Sequence, residues 1–212
     1  MRERAYRQLR HLLILQQIPV GKRLREAEWT ARLKVNRSAL REAFARLEAQ
    51  GLIQAGPKTG YMVPSLDHKT MGDILAVRMM LEVGAIEIVC ESGLNTPAHL
   101  HAAIEACQEF ENALTDQNVL RIVEADWKFH DALIAASKNK RLKSVYHHAP
   151  LPLLLPDETS GPAWNATIRQ TATEHRALLD TILAGNATKA VSLLRSHLLD
   201  RWTKLMERRK AR

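Results

Sequence analysis

Three histidines and one aspartate stand apart from the other ionisable residues because each lies on the apolar stripe of a predicted helix. Asp126 and His130 are four residues apart, so their side chains project from one helical face. His175 and His197 each lie among aliphatic residues in a separate helical segment. A core histidine with one hydrogen bond explains any one of them. The four together, on facing helices, would form a nitrogen and oxygen site for a divalent ion.

A second group of residues has the chemistry for binding DNA. Arg37 and Arg41 are four residues apart on the face opposite Leu40, and Asn36 and Ser38 lie beside them at the start of the same predicted helix. Guanidinium groups pair with guanine O6 and N7, whereas helix N-terminal amides and short polar side chains suit phosphate oxygens. Alone, two such arginines are better explained as the solvated face of a helix, as most helical arginines are.

The distribution of charge favours DNA binding. The chain has 212 residues and a net charge of +8. Residues 1–64 contain 13 Lys and Arg against 5 Asp and Glu, whereas residues 65–200 contain 12 against 17. A basic N-terminal third followed by a mildly acidic body indicates two units with different partners, one of which could be a polyanion.

The basic third is predicted to form a winged helix-turn-helix. Its predicted helices and strands cover residues 4–17, 26–33, 37–50, 52–55 and 61–63. Asn36 is a suitable N-cap for the third helix, Gly51 a suitable stop, and residues 56–60 a hairpin turn between the two strands. Three helices followed by a hairpin wing place the third helix in a DNA major groove.

The remainder of the chain is predicted to be an all-α bundle of six helices, which makes the fold class mostly α. The helices cover roughly residues 70–92, 97–115, 118–137, 140–153, 163–184 and 187–208, with a proline-rich connection over 147–162. We therefore predict a DNA-binding domain over 1–64, a linker over 65–69 and a helical metal-binding, effector-binding and dimerisation domain over 70–212.

The composition excludes several other classes of protein. At 46% hydrophobic and 25% charged residues the chain is not disordered or fibrous. No run approaches the roughly 20 apolar residues that span a bilayer, and the charged N-terminus lacks the apolar region of a secretory signal. We expect a cytoplasmic protein in which Cys90 and Cys107 are reduced thiols.

The segment YRQLRHLLILQQIPVGKRLREAEWTARLKVNRSALREAFARLEAQGLIQAGPKTGYMV resembles the N-terminal domain of GntR-type bacterial transcription regulators. Trp29 stands where the family pattern has leucine. The resemblance implies contacts of the recognition helix with operator DNA and contacts of the wing tip with the minor groove. The residues implied are Asn36, Arg37, Ser38, Arg41, Thr59 and Gly60.

The body resembles the FCD ligand-binding domain of the FadR subfamily, through the pattern ADWKFHDALIAASKNK and the two later histidines. The resemblance implies that Asp126, His130, His175 and His197 hold one divalent ion per chain, zinc before nickel or manganese. It also implies a small organic acid effector bound at the metal, with Arg78 near the effector cavity. An ion pair between Arg78 and Glu82 within one helix is an equally good explanation of that arginine.

The patterns and the two resemblances together predict a dimeric transcription regulator, most often a repressor in this family, that leaves a palindromic operator when a small carboxylate binds its metal centre. A regulator of this kind is not an enzyme. Two alternatives remain open. One is a metal-dependent hydrolase or oxygenase that uses the same four ligands. The other is a DNA-binding protein in which the metal is purely structural.

Overall fold

The computed structural model describes residues 1–15, 17–56, 60–65, 68–148 and 161–210 of the chain. The chain divides into two compact units, the first formed mainly by Met1–Ile74 and the second by Leu75–Tyr146 with the last two helices. This division falls inside a helix that runs from His68 to Glu91. The domain bounds proposed above, with a linker over 65–69, stay a prediction.

The first unit contains three helices and a small antiparallel sheet. Its elements are α1 (Arg2–Ile14), β1 (Arg23–Leu24), α2 (Glu26–Leu33), α3 (Arg37–Ala49), β2 (Gln54–Ala55) and β3 (Tyr61–Met62). The strand order is β1-β3-β2, so that Met62 of β3 lies opposite both Arg23 and Gln54. Strand β1 was not predicted, because two residues are too short to show an alternating pattern. Helix α1 ends at Ile14, three residues earlier than predicted.

The turn between α2 and α3 sets the position of the third helix. Lys34 ends α2 in the left-handed conformation, with a φ of 51°. The Asn36 side chain then accepts a hydrogen bond from the Ala39 amide at 2.8 Å and caps α3, as predicted. Buried residues of all three helices form one core under this turn, including Leu9, Trp29 and Phe44.

In the part of the chain that the structure describes, the second unit is a bundle of six helices, the first of which begins before the division between the units. They are α4 (His68–Glu91), α5 (Pro97–Thr115), α6 (Val119–Ala136), α7 (Lys140–His148), α8 (Pro162–Leu183) and α9 (Ala187–Lys210). The Asn118 side chain caps α6, and the Asn139 side chain caps α7. Residues 149–153 of the predicted fourth helix of the bundle, and most of the predicted connection over 147–162, lie outside the described residues.

The core of the second unit lies between α4, α5, α6, α8 and α9, where apolar side chains such as Ile86, Phe129 and Leu194 are buried. Helix α6 turns ten of its eighteen residues into this core, which brings its polar Asp126 and His130 inside as well. Within the described residues, no helix is long and apolar enough to cross a membrane. The mostly α fold class is confirmed.

Candidate metal centre and DNA-binding face

The structure brings together the four predicted metal ligands. Asp126 and His130 lie on α6, His175 on α8 and His197 on α9, and one potential ligand atom from each residue lies within 4.8 Å of all the others. All four residues are buried, and His130 and His175 are not exposed at all. The Nε2 atoms of His130 and His197 face each other at 3.3 Å.

Two carboxylates, one from Glu82 on α4 and one from Glu174 on α8, fix the tautomers of two of these imidazoles. Glu82 Oε2 lies 2.7 Å from His130 Nδ1, and Glu174 Oε2 lies 2.7 Å from His197 Nδ1. An ionised carboxylate only accepts hydrogen bonds, so Nδ1 is the protonated nitrogen in both neutral rings. Each Nε2 then carries a lone pair, and the two lone pairs point at each other.

This arrangement fits a metal ion. Two nitrogen lone pairs at 3.3 Å repel each other unless a cation lies between or beside them. A hydrogen bond from the far ring nitrogen to a carboxylate is the usual support of a metal-binding histidine, because it orients the ring and makes it more basic. A carboxylate and three imidazoles, two of them with this support, suit a divalent ion of intermediate softness.

Glu82 is the centre of a buried hydrogen-bond network behind His130. Its side chain is fully buried, and its Oε1 accepts hydrogen bonds from Arg78 Nε and, at 3.1 Å, from the Tyr146 hydroxyl. Burial, with the nearby charge of Glu82, raises the pKa of Tyr146 well above its usual value. Burial lowers the pKa of Arg78, but the Glu82, Tyr146 and Asp126 charges outweigh it and the net shift is upward.

The contacts of Arg78 are those of the ion pair within one helix, the alternative explanation given above. Its side chain is 13% exposed and pairs with Glu82 four residues later. Glu82 links the Arg78 guanidinium to a predicted metal ligand, because its other oxygen lies 2.7 Å from His130 Nδ1. The effector-binding role of Arg78 stays a prediction.

Aromatic side chains form the remaining wall around His175. Its ring stacks on Phe129 with 4.2 Å between ring centroids, and the edge of Phe110 lies 5.3 Å away. Water has little access to this side of the cluster, which lowers the local dielectric and strengthens the attraction between a cation and its ligands. Sequence reasoning did not identify Phe110 or Phe129 as neighbours of the site, because aromatic residues in a core are common.

A cavity of about 300 Å³ lies between the end of α5 and the first turns of α6 and α8. Its walls include Ile122, Trp164 and Ile168, and none of the four predicted ligands lines it. Ile122 precedes Asp126 by one helical turn, and Ile168 precedes His175 by two turns.

The predicted DNA contacts lie in the first unit, at the start of α3 and in the wing. Arg37, Ser38 and Arg41 are exposed on α3. The Arg41 Nε donates to Glu26 Oε1 of α2 at 2.8 Å. No role was predicted for Glu26, because nothing in the sequence indicates that this glutamate lies next to α3.

The wing contacts are described only in part. Gly60 has a φ of 85°, and a side chain there would meet the Leu24 carbonyl oxygen at 3.0 Å, so glycine is required at this position. The Gly56 amide donates to the Gly60 carbonyl oxygen at 2.9 Å and closes the hairpin. Thr59, the other predicted wing contact, lies outside the described residues.

Comparison with known families places each unit. The family described as bacterial regulatory proteins, gntR family, matches residues 1–63, and the FCD domain matches residues 73–200. A helix-turn-helix unit followed by this helical domain defines a class of bacterial transcriptional regulators. The chain belongs to the gntR family of bacterial regulatory proteins and carries an FCD domain, an arrangement consistent with the FadR subfamily.

Individual relatives agree with this assignment. The chain is 30% identical over 145 residues to the uncharacterized HTH-type transcriptional regulator YdhC of Bacillus subtilis, a match that covers 68% of this chain and 63% of that relative. It is 24% identical over 211 residues to the HTH-type transcriptional repressor GlaR of Escherichia coli, covering 92% and 90%. The fold of E. coli McbR/YncC matches with a TM-score of 0.78 at 19% identity over 97% of each chain.

The family and the relatives are transcriptional regulators, which confirms the predicted class of protein and separates the chain from enzymes. The match to YdhC spans slightly less than two thirds of that protein. The names of the relatives therefore do not assign the target genes, the effector or the direction of control of this chain.

Proposed function

We propose that the chain is a DNA-binding repressor whose affinity for its operator is controlled by a small carboxylate bound at a divalent metal centre. The observation that carries the proposal is the convergence of four buried ligand atoms within 4.8 Å, contributed by three helices. The proposed partners are a second copy of the chain, palindromic double-stranded operator DNA and a small organic acid. The proposed location is the cytoplasm, where the operator lies.

Asp126, His130, His175 and His197 would hold the ion. Zinc is the proposed metal, and nickel and manganese are the alternatives that nitrogen and oxygen ligands also accept. The bound ion would supply a positive, Lewis-acidic centre that attracts a carboxylate. The carboxylates of Glu82 and Glu174 support this assignment, because they hold His130 and His197 in the tautomer that a metal requires.

The surroundings of the four ligands suit an anionic effector. Burial strengthens the attraction of a cation for a carboxylate, because little water screens it. Arg78 donates through Nε to Glu82, and its remaining N–H groups could pair with a carboxylate. The cavity of about 300 Å³ lined by Ile122, one helical turn from Asp126, has room for a small organic acid.

The effector would act by differential binding. A ligand shifts the equilibrium between two conformations only by the difference between its affinities for them. The effector would favour a conformation of the dimer in which the two copies of α3 no longer match their half-sites. Each α3 would contact one half-site through Asn36, Arg37, Ser38 and Arg41, with the wing residues Thr59 and Gly60 at the minor groove, and the half-sites would lie about one helical turn apart.

Metal analysis tests the first part of the proposal. Purified wild-type protein should contain about one divalent ion per chain, and the His175→Ala/His197→Ala double variant should contain none. His101→Ala is the matched control, because His101 is exposed on α5 and lies outside the cluster. Equal metal content in the wild type and the double variant would contradict the proposal.

Titration with a panel of small carboxylates tests the second part. We expect one acid to raise the melting temperature of the metal-loaded wild type, to leave the double variant unchanged and to lower the affinity for operator DNA. If metal raises the melting temperature but no acid changes operator affinity, the metal is purely structural and the proposed effector control is wrong. Steady turnover of an ester, amide or hydroxy acid would support the alternative of a metalloenzyme.

A further inference from the structure

Of the two arginines predicted to bind DNA, Arg41 has a hydrogen-bond partner in the first unit and Arg37 has none within the described residues. Arg41 Nε donates to Glu26 Oε1 at 2.8 Å, so a carboxylate of α2 supports an arginine of the recognition helix from behind. Within the described residues no acceptor contacts Arg37, which lies one helical turn earlier. Both arginines are exposed, and the Arg41 side chain retains 68% of its accessible surface.

The contact with Glu26 leaves the DNA-binding edge of Arg41 available. A guanidinium has five N–H donors, one on Nε and four on the two Nη atoms. Glu26 engages Nε, and no other residue of the described part of the chain contacts the Nη atoms. The pair of Nη atoms is an edge that can reach guanine O6 and N7 together.

We infer that Glu26 is a positioning residue that makes Arg41 selective for its base. Glu26 orders a long side chain before DNA arrives, so less rotamer freedom remains to be lost on binding. Its own charge repels the phosphates, which weakens binding to any sequence. Glu26 therefore lowers overall affinity for DNA and raises discrimination between sequences. The inference rests on the proposed reading of operator bases by Arg41.

The first turn of α2 contains a matched control. Glu28 has the same charge as Glu26 and lies two residues later, but it faces Lys22 at 3.8 Å and not Arg41. Glu26→Ala and Glu28→Ala remove the same charge from the same helix end. Only Glu26→Ala removes the contact with Arg41.

The experiment compares two duplexes at one ionic strength by fluorescence anisotropy. One is the duplex that wild-type protein selects most strongly from a randomised library, and the other is a scrambled duplex of the same composition. We expect Glu26→Ala and Glu28→Ala to bind the scrambled duplex about 2–5-fold more tightly. We expect the ratio of the two affinities to fall about 5–30-fold in Glu26→Ala and to stay within about twofold in Glu28→Ala.

Further variants separate positioning from a general structural effect. Glu26→Gln keeps a hydrogen-bond acceptor but loses the charge, so its affinity ratio should lie between those of wild type and Glu26→Ala. In an Arg41→Ala background, Glu26→Ala should not change the ratio further. If Glu26→Ala does not fold, as judged by its thermal melt, the comparison of Glu26→Gln with Glu28→Gln decides.

The possible outcomes distinguish this inference from the proposed function. If Arg41→Ala leaves the affinity ratio unchanged, Arg41 does not read bases and both proposals about it are wrong. If Arg41→Ala lowers the ratio but the Glu26 and Glu28 variants behave alike, Arg41 reads bases without help from Glu26. In that case the inference alone is overturned.

Discussion

Replacing Glu82 by glutamine would test whether the buried network behind His130 maintains the metal centre. The two oxygens of Glu82 accept three hydrogen bonds, from Arg78 Nε, the Tyr146 hydroxyl and His130 Nδ1. Glutamine has almost the same shape but only one acceptor oxygen, and its NH₂ group donates. The variant therefore cannot satisfy all three donors.

Each orientation of the new amide has a defined cost. If its oxygen faces Arg78 and Tyr146, its NH₂ group faces His130 Nδ1, and the ring must move its proton to Nε2 to accept that bond. A protonated Nε2 cannot bind a metal ion. If the oxygen faces His130, the NH₂ group points at the Arg78 guanidinium. Two donors then face each other, and a cation whose side chain is only 13% exposed loses its acceptor.

We expect the metal affinity of Glu82→Gln to fall about 10–100-fold, or roughly 1.4–2.7 kcal/mol, as for other substitutions behind metal-binding histidines. The free energy of unfolding of the metal-free protein should fall by about 1–3 kcal/mol, because in either orientation the Arg78 guanidinium, only 13% exposed, loses its counter-charge. Competition with a chromophoric chelator measures the first quantity, and urea denaturation measures the second.

Glu174→Gln is the control for this prediction. Glu174 Oε1 accepts a hydrogen bond from the Gln170 amide, while Oε2 serves His197 Nδ1. Gln170 can rotate its amide and present its oxygen, so glutamine at 174 can keep the bond to His197. We expect a loss of less than about 5-fold in metal affinity there. An affinity of Glu82→Gln within twofold of wild type would refute the argument from acceptor count.

Three other predictions follow from the same contacts. Because no carboxylate in the described part of the chain orders the Arg37 side chain as Glu26 orders Arg41, we expect Arg37 to contact phosphate and not a base edge. Arg37→Ala should then weaken binding to specific and scrambled duplexes about equally and reduce the slope of log affinity against log salt by about 1, measured by anisotropy from low to high salt, and a larger loss on the specific duplex would contradict this. Trp29→Phe should lower the free energy of unfolding by less than about 1.5 kcal/mol in urea, because the deleted Nε1–H is buried with no acceptor in the described part of the chain. Metal affinity should fall as the pH drops from 8 to 5, because protons compete for imidazole nitrogens, and equilibrium dialysis over this range would show no change if no histidine binds the ion.

The periodicity of the sequence was sufficient to predict most of the fold. Helix α2 and helix α5 have the predicted bounds, and Asn36 caps α3 as predicted. These features depend on residues close together in the chain. Strand β1 depends instead on pairing between Leu24 and Tyr61, which are far apart in the sequence, and so no local pattern indicated it.

The distinction between local patterns and contacts of residues far apart in the sequence also explains which residues of the candidate metal centre could be predicted. His130, His175 and His197 were identifiable because a polar ring on an apolar stripe contradicts the expected pattern of a helix. Glu82 and Glu174 do not contradict any pattern, since glutamate is common in helices of this composition. Their positions behind His130 and His197 result from the packing of α4 on α6 and of α8 on α9, which a single sequence does not reveal.

Both candidate sites place a carboxylate behind the group that would contact the ligand. Glu82 and Glu174 stand behind metal-binding imidazoles, and Glu26 stands behind the Arg41 guanidinium. The carboxylates accept hydrogen bonds from His130 Nδ1, His197 Nδ1 and Arg41 Nε. In each case the nitrogen that would contact the ligand, Nε2 of the imidazole or Nη of the guanidinium, is left available. The supporting bond restricts the conformations of the imidazole or guanidinium, so less conformational freedom is lost when the ligand binds. Substitutions at Glu82 should therefore weaken metal binding, and substitutions at Glu26 should weaken discrimination between DNA sequences, although every direct contact residue is unchanged.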